Sequence, residues 1–295
     1  SRWEAIWHLQ ELSSAETMKL SFIIPAYNRL HLLEKCMLSV SKQVFPPHEI
    51  ILSDDGSTED VEAFFRQKRE QYPFPMKLVR QKHEGFRLAR IRNNAVSVAT
   101  GDMLVFLDQD IIIPPKYLSD IAAGMKPGLF VSSFPVRLSD TQSEALNEQL
   151  ILGCDYSKVL LPKQYAKIHR QYREDLAAYL LCRYLKIGNH GAKLRGGVST
   201  ISREDYDRVN GYDENFQWWG GEDDDMGRRL LAIGTVGRNV SYHNFPLHLY
   251  HEPFHQNNRK HNAGYINKRK QEIDKANFRC AVGLDAPRAD IEVFH

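Results

Sequence analysis

The sequence predicts an α/β chain with a Rossmann-like, mostly parallel central sheet flanked by helices, and three observations predict it. Short apolar runs of strand length alternate with segments of helical periodicity as far as residue 107. Polar clusters close those runs at Pro25-Ala26-Tyr27-Asn28-Arg29, at Asp54-Asp55 and at Asp108-Gln109-Asp110. Ligands of such sheets gather at the carboxyl ends of the strands, so three clusters at three such ends point to one edge. The chain has 295 residues, 42% hydrophobic and 26% charged, ordinary for a globular domain able to bury a sizeable core.

The elements follow in order. Residues 20–27 read as a buried strand, and Leu30, Leu33, Met37 and Val40 follow at helical spacing. Glu49 to Ser53 is a second strand, closed by the turn signal Asp54-Asp55-Gly56-Ser57. A helix over 59–70 leads to a third strand from Met76 to Arg80. Leu88, Ile91, Ala95 and Val98 mark the next helix, Gly101 stops it, and strand 103–107 follows. Residues 140–195 break the alternation. They are polar, tyrosine-rich and helical in part, from Glu174 to Leu185, and read as an insertion or lid over the site. Gly196 to Ile201 is again a strand. Ser202 then stands as the N-cap of a capping-box shape with Asp205 where Glu or Gln is usual. The helix over 222–233 has an acidic first turn, which its dipole favours. From His255 onward the chain is basic and Asn-rich.

Charge and cysteines exclude some functions. The net charge of +2 gives no field that demands nucleic acid. Cys36, Cys154, Cys182 and Cys280 form no C-x-x-C pair, so neither a zinc ribbon nor a disulfide framework is expected, and reduced thiols in the cytoplasm are. No apolar run reaches the roughly 18 residues of a membrane span. Residues 1–17 place Trp3, Ile6 and Trp7 on one helical face. They read as an added extension or the tail of an upstream domain, ahead of a single domain over 18–295. That domain divides near residue 111 into 18–111 and, with its tail, 112–295.

Two acidic clusters about 110 residues apart carry the chemistry, Asp108-Gln109-Asp110 and Trp218-Trp219-Gly220-Gly221-Glu222-Asp223-Asp224-Asp225. Carboxylates closing a buried strand suit a hard divalent cation. An acidic run that opens a helix behind Gly-Gly suits a general base and hydroxyl binding. The segment Ser21-Phe22-Ile23-Ile24-Pro25-Ala26-Tyr27-Asn28-Arg29, then Ser53-Asp54-Asp55-Gly56-Ser57, then Asp108-Gln109-Asp110 resembles glycosyltransferase family 2 of the GT-A fold. The stretch from Gly196-Gly197-Val198-Ser199-Thr200 to Asp225 resembles the acceptor region of β1,4-galactosyltransferases and of bacterial chondroitin-type polymerases.

The resemblance implies a metal-dependent inverting transferase that moves a sugar from a UDP-sugar to a glycan hydroxyl and leaves a β linkage. Galactose or N-acetylgalactosamine is the favoured sugar. It implies Asp110, Asp108 and His251 as metal ligands, with His248 or His255 as alternatives, for Mn2+ or Mg2+. It implies that Pro25, Tyr27, Arg29, Asp54, Asp55, Arg87, Arg90, Asp108 and Gln109 bind the nucleotide-sugar. Asp223 is the implied base, and Trp219, Gly220, Gly221, Glu222 and Asp224 the implied acceptor site. The acceptor would be an oligosaccharide or lipid-linked glycan of surface polysaccharide synthesis. Arg259, Lys260, Lys268, Arg269 and Lys270, with Asn257 and Asn258, would close on the diphosphate or touch anionic lipid at the inner face of the membrane. Three other readings compete: a retaining N-acetylgalactosaminyl-type transferase, a nucleotidyltransferase, and a non-catalytic carbohydrate- or nucleotide-binding domain of a larger polymerase. Asp at both 110 and 223 argues against the first and third. The absence of glycine from 25–29 argues against the second.

Overall fold

A computed structural model describes residues 18–188, 191–218, 220–252 and 262–295. Four parallel strands come first: β1 (Leu20–Ala26), β2 (Glu49–Asp54), β3 (Met76–Gln81) and β4 (Met103–Leu107). Between them run α1 (Leu30–Ser41), α2 (Val61–Gln71) and α3 (Leu88–Val98). Every residue of β1 and β2 is buried, because helices cover both faces. Successive side chains of a strand alternate between faces. Phe22, Ile24, Ile50 and Leu52 therefore meet α1 and α2 through Leu33, Met37, Val40 and Phe65. Ile23 and Ile51 instead join the cluster that holds Ala89, Ala95 and Val96 of α3.

Beyond β4 the sheet becomes mixed. β5 (Ile111–Ile112), α4 (Tyr117–Gly124), β6 (Leu129–Ser132) and β7 (Val136–Arg137) follow. Residues 140–188 then carry α5 (Asp140–Ala145), α6 (Glu148–Leu152) and α7 (Pro162–Leu180), which runs into a wider helical turn at Leu181–Leu185. β8 (Val198–Ser202) returns antiparallel to β4, and β6 pairs with its other edge. After α8 (Arg203–Arg208) come α9 (Glu222–Ala232), β9 (Val236–Arg238), β10 (Leu247–His248), α10 (Ala263–Asp274) and β11 (Ile291–Phe294). The eight-stranded order is β11-β3-β2-β1-β4-β8-β6-β9, and β5-β10-β7 form a separate small sheet.

The strands and helices expected through residue 107 are present, and so is the strand over 198–202. Ser202 caps α8 by accepting from Asp205 N at 3.1 Å. The 140–195 stretch is more than a lid, because it has its own core. Leu146, Ile151, Tyr156, Val159 and Ile168 pack with Ile112, Val136 and Leu247 of the small sheet and with Leu32 of α1. Its helix also begins earlier than the expected Glu174. Residues 1–17, Trp219, and 253–261 with His255, Asn257, Asn258, Arg259 and Lys260 lie outside the described residues. Among the described residues no helix is long and apolar enough to cross a membrane.

Candidate active site

The small sheet builds a cluster of side chains that could hold a metal ion. Its register sets His248 opposite Ile111, and Leu249 N donates to Asp110 O at 2.9 Å. Asp110, His248 and His251 therefore present ligand atoms within 4.8 Å of one another. His251 Nε2 stands 3.2 Å from Asp110 Oδ2, and His248 Nε2 3.8 Å from Asp110 Oδ1. Each imidazole turns Nδ1 to a carbonyl, His248 to Leu249 O at 2.8 Å and His251 to Glu252 O at 3.0 Å. A carbonyl only accepts, so Nδ1 carries the proton and the Nε2 lone pair faces Asp110. Asp110 Oδ1 is buried without a hydrogen-bond partner. An orphaned carboxylate oxygen beside two imidazole lone pairs fits a divalent cation.

The electrostatics agree. Burial pushes the Asp110 carboxyl up, but His251 and His248 outweigh it and hold it below its ordinary value. When Nε2 is protonated as well, His251 donates to Asp110, and that hydrogen bond raises the imidazole.

Asp108 departs from expectation, for its carboxylate lies outside this cluster. Oδ1 accepts from Arg92 Nη2 at 3.2 Å. The same guanidinium donates through Nη1 to Asp223 Oδ1 at 3.0 Å. Tyr212 OH also donates to Asp223 Oδ1, at 3.3 Å. Gly196 and Gly197 at the start of β8 pass so close that a Cβ on either would collide, Gly196 with Asp223 Oδ1 and Gly197 with Asp108 Oδ2.

Gly221 is the N-cap of α9 at φ 103°, where a side chain would strike Ile266 and Phe216. Gly221 is thus required by the fold, whatever approaches it. Glu222 is buried and accepts from Gly220 N at 3.0 Å. Burial, then the neighbouring Asp223 charge, push its carboxyl up to about 7. Asp224 faces Lys193 and Arg228, each at 3.3 Å, and these cations outweigh its burial and lower its carboxyl. Asp225 is structural: it pairs with buried Arg229 at 2.6 Å.

On the nucleotide side Tyr27 stacks on His83, with centroids 4.5 Å apart and planes 17° apart. Asp54 is committed to the turn and to Arg80, accepting from Ser57 Oγ at 2.5 Å and Arg80 Nε at 3.1 Å. Asp55 accepts from Gln81 Nε2 at 2.5 Å and lies 3.4 Å from His83 Nδ1. Burial raises its carboxyl. Pro25 lies near the end of β1 opposite Ser53. Gln109 locks the loop after β1, accepting from Tyr27 N at 3.0 Å and donating to Asn28 O at 3.2 Å. Asn28 and Arg29 there hold left-handed φ of 51° and 58°. The Arg29 charge is near enough to oppose protonation of His251.

Three cations have partners other than the expected phosphate. Arg87 pairs with Glu84 at 3.0 Å. Arg90 pairs with Asp290 at 2.6 Å and Glu214 at 3.3 Å, tying α3 to the C-terminal segment. Arg269 is buried against Asp213, Asp225 and Glu272.

Sequence reasoning missed Arg92, Tyr212 and His83. The signal for Arg92 was present, since it is a charged residue on the apolar stripe of α3, four positions after Leu88 and one after Ile91.

The description "Glycosyl transferase family 2" matches residues 21–182, more than half of the chain, and "N-terminal domain of galactosyltransferase" matches residues 177–252. The chain belongs to glycosyl transferase family 2. It is 26% identical over 261 residues to validoxylamine A glucosyltransferase of Streptomyces hygroscopicus subsp. limoneus, covering 81% of this chain and 53% of that one. It is 28% identical over 255 residues to chondroitin synthase of Pasteurella multocida, covering 77% of this chain and 25% of that one. The chain thus spans about half or less of the length of these relatives. A mannosyltransferase of Pyrobaculum calidifontis, solved with GDP-Man and Mn2+, superposes with a TM-score of 0.59 at 16% identity, over 88% of this chain and 64% of that one. The fold is GT-A.

Proposed function

We propose that this domain is a metal-dependent inverting glycosyltransferase. It would move a sugar, galactose or N-acetylgalactosamine first among the options, from a UDP-sugar to a glycan hydroxyl and leave a β linkage. The observation that carries the reading is the convergence of the Asp110–His248–His251 cluster and Asp223 on one edge of the sheet, joined through Asp108 and Arg92. Asp110, His248 and His251 would hold the cation, Mn2+ before Mg2+ because two imidazoles join the carboxylate. A cation there supplies charge neutralisation to a leaving diphosphate.

The chain's own groups would do the rest. Tyr27 and His83 offer a flat stack for the base, and Asp55 a buried acceptor beside it. Asp223 takes the proton of the attacking hydroxyl, opposite the leaving group. Glu222, held near neutrality, can donate or accept a hydrogen bond to an acceptor hydroxyl, and Asp224 faces the same side. The N-acetylgalactosaminyl-type retaining reading loses support from an Asp at 223 that is held by a guanidinium.

The test is UDP release from a panel of UDP-sugars with Mn2+, followed by NMR of the glycan product. One donor should turn over, Asp110→Ala should abolish it, and the product should be a β anomer. An α anomer would refute inversion. No turnover of any donor would leave a binding module.

A further inference from the structure

We propose that Arg92 is the positioning residue of the base, a two-pronged brace that fixes Asp223 relative to Asp108 and leaves one carboxylate oxygen of Asp223 for the acceptor. The inference rests on Asp223 being the base. Arg92 is 1% exposed, and its guanidinium carbon lies 4.9 Å from the centre of the Tyr212 ring. Its two terminal nitrogens reach carboxylates from different parts of the chain, Asp108 at the end of β4 and Asp223 in the first turn of α9.

Arg229, the other fully buried arginine of α9's surroundings, shows what a purely structural one looks like. It pairs with buried Asp225 and donates to the carbonyls of Val209 and Gly211 at 2.9 and 2.7 Å. Arg92 spends its charge differently, since the side chains of Asp108 and Asp223 are 36% and 33% exposed at the site. Gly196 closes the brace from one side, because a Cβ there would strike both Asp223 Oδ1 and Arg92 Nη1.

The consequence is chemical. Asp223 Oδ1 is occupied by Arg92 and Tyr212, while no hydrogen bond among the described residues engages Oδ2. The acceptor proton goes to Oδ2 as the oxygen–carbon bond to the sugar forms. The bond from that carbon to the diphosphate oxygen breaks at the same time, and its electron pair leaves with the diphosphate. A planar fork holds two carboxylates at once, and a lysine ammonium on one flexible stem does not.

The experiment is a double-mutant cycle on transfer rate, using Arg92→Met, Arg92→Lys, Asp223→Asn and the Arg92→Met/Asp223→Asn pair, with melting temperature and Mn2+-linked UDP affinity as controls. Arg92→Met should lower kcat about 10²-fold, the scale of a misplaced catalytic group. In the Asp223→Asn background the same change should cost less than about threefold, because its route to the reaction is already gone. Additive losses, or an effect on donor KM with kcat intact, would overturn the proposal. Should Arg92→Met fail to fold, Arg92→Lys decides. A fall in kcat of about tenfold or more at wild-type melting temperature supports the fork, and wild-type kcat overturns it. Wild-type transfer by Asp223→Asn would remove the base reading itself, a separate failure.

Discussion

Glu222 and Asp223 are adjacent carboxylates with opposite surroundings. Glu222 is buried with one backbone donor and is pushed up to about 7, whereas Asp223 meets a guanidinium and a phenol. Neighbouring acids with divergent environments are how one site separates proton-taking from proton-holding. The acidic run itself was legible in the sequence, because four acids behind Gly-Gly exceed what a helix dipole asks for. The brace behind it was not, because sequence does not show that residues 92 and 223 meet. Gly196 gives this scale its prediction. Gly196→Ala should place a methyl against Asp223 Oδ1 and lower transfer by about 10²-fold while the melting temperature changes little. Wild-type transfer by that variant would show that the backbone does not press on Asp223.

Among the elements, the central strands were legible because both faces are buried and the apolar runs are unbroken. The two-residue strands of the small sheet were not, since a period of two needs more than two residues to show. The partly exposed edge strand β11 was also hidden. The two-residue strands are the ones that bring His248 to Asp110, so the Asp110–His248–His251 cluster was only partly readable. Glu49, which opens β2, carries a stability prediction. Burial works against its charge, but Lys77, Ser21 and Thr100 all donate to it, and its carboxyl falls to about 2. A carboxyl lowered on folding contributes stability at pH values above its unfolded value of about 4.3, and that contribution is lost as pH falls toward 2. Glu49→Gln should cost about 2–3 kcal/mol near neutral pH and flatten the decline in stability below pH 4 or so, read by urea unfolding across pH. An unchanged acid limb would show that Glu49 is not the group responsible.

At the scale of the whole molecule, the parallel strands end where β8 turns the sheet antiparallel, and the site lies along that junction. One half brings Tyr27, Asp55 and Asp108 and the other His248, His251 and Asp223; the small sheet ties His248 to Asp110, and Arg92 ties Asp223 to Asp108. The order of motifs made the family legible, while donor sugar and acceptor depend on contacts that no single sequence spells out. Both histidines and Asp110 would together hold a cation that the nucleotide needs. Calorimetric UDP affinity with and without Mn2+, for wild type and His248→Ala, tests this most directly. Mn2+ should tighten UDP binding to the wild type by about tenfold or more and leave His248→Ala unaffected. Equal UDP affinity with and without Mn2+ in the wild type would contradict it.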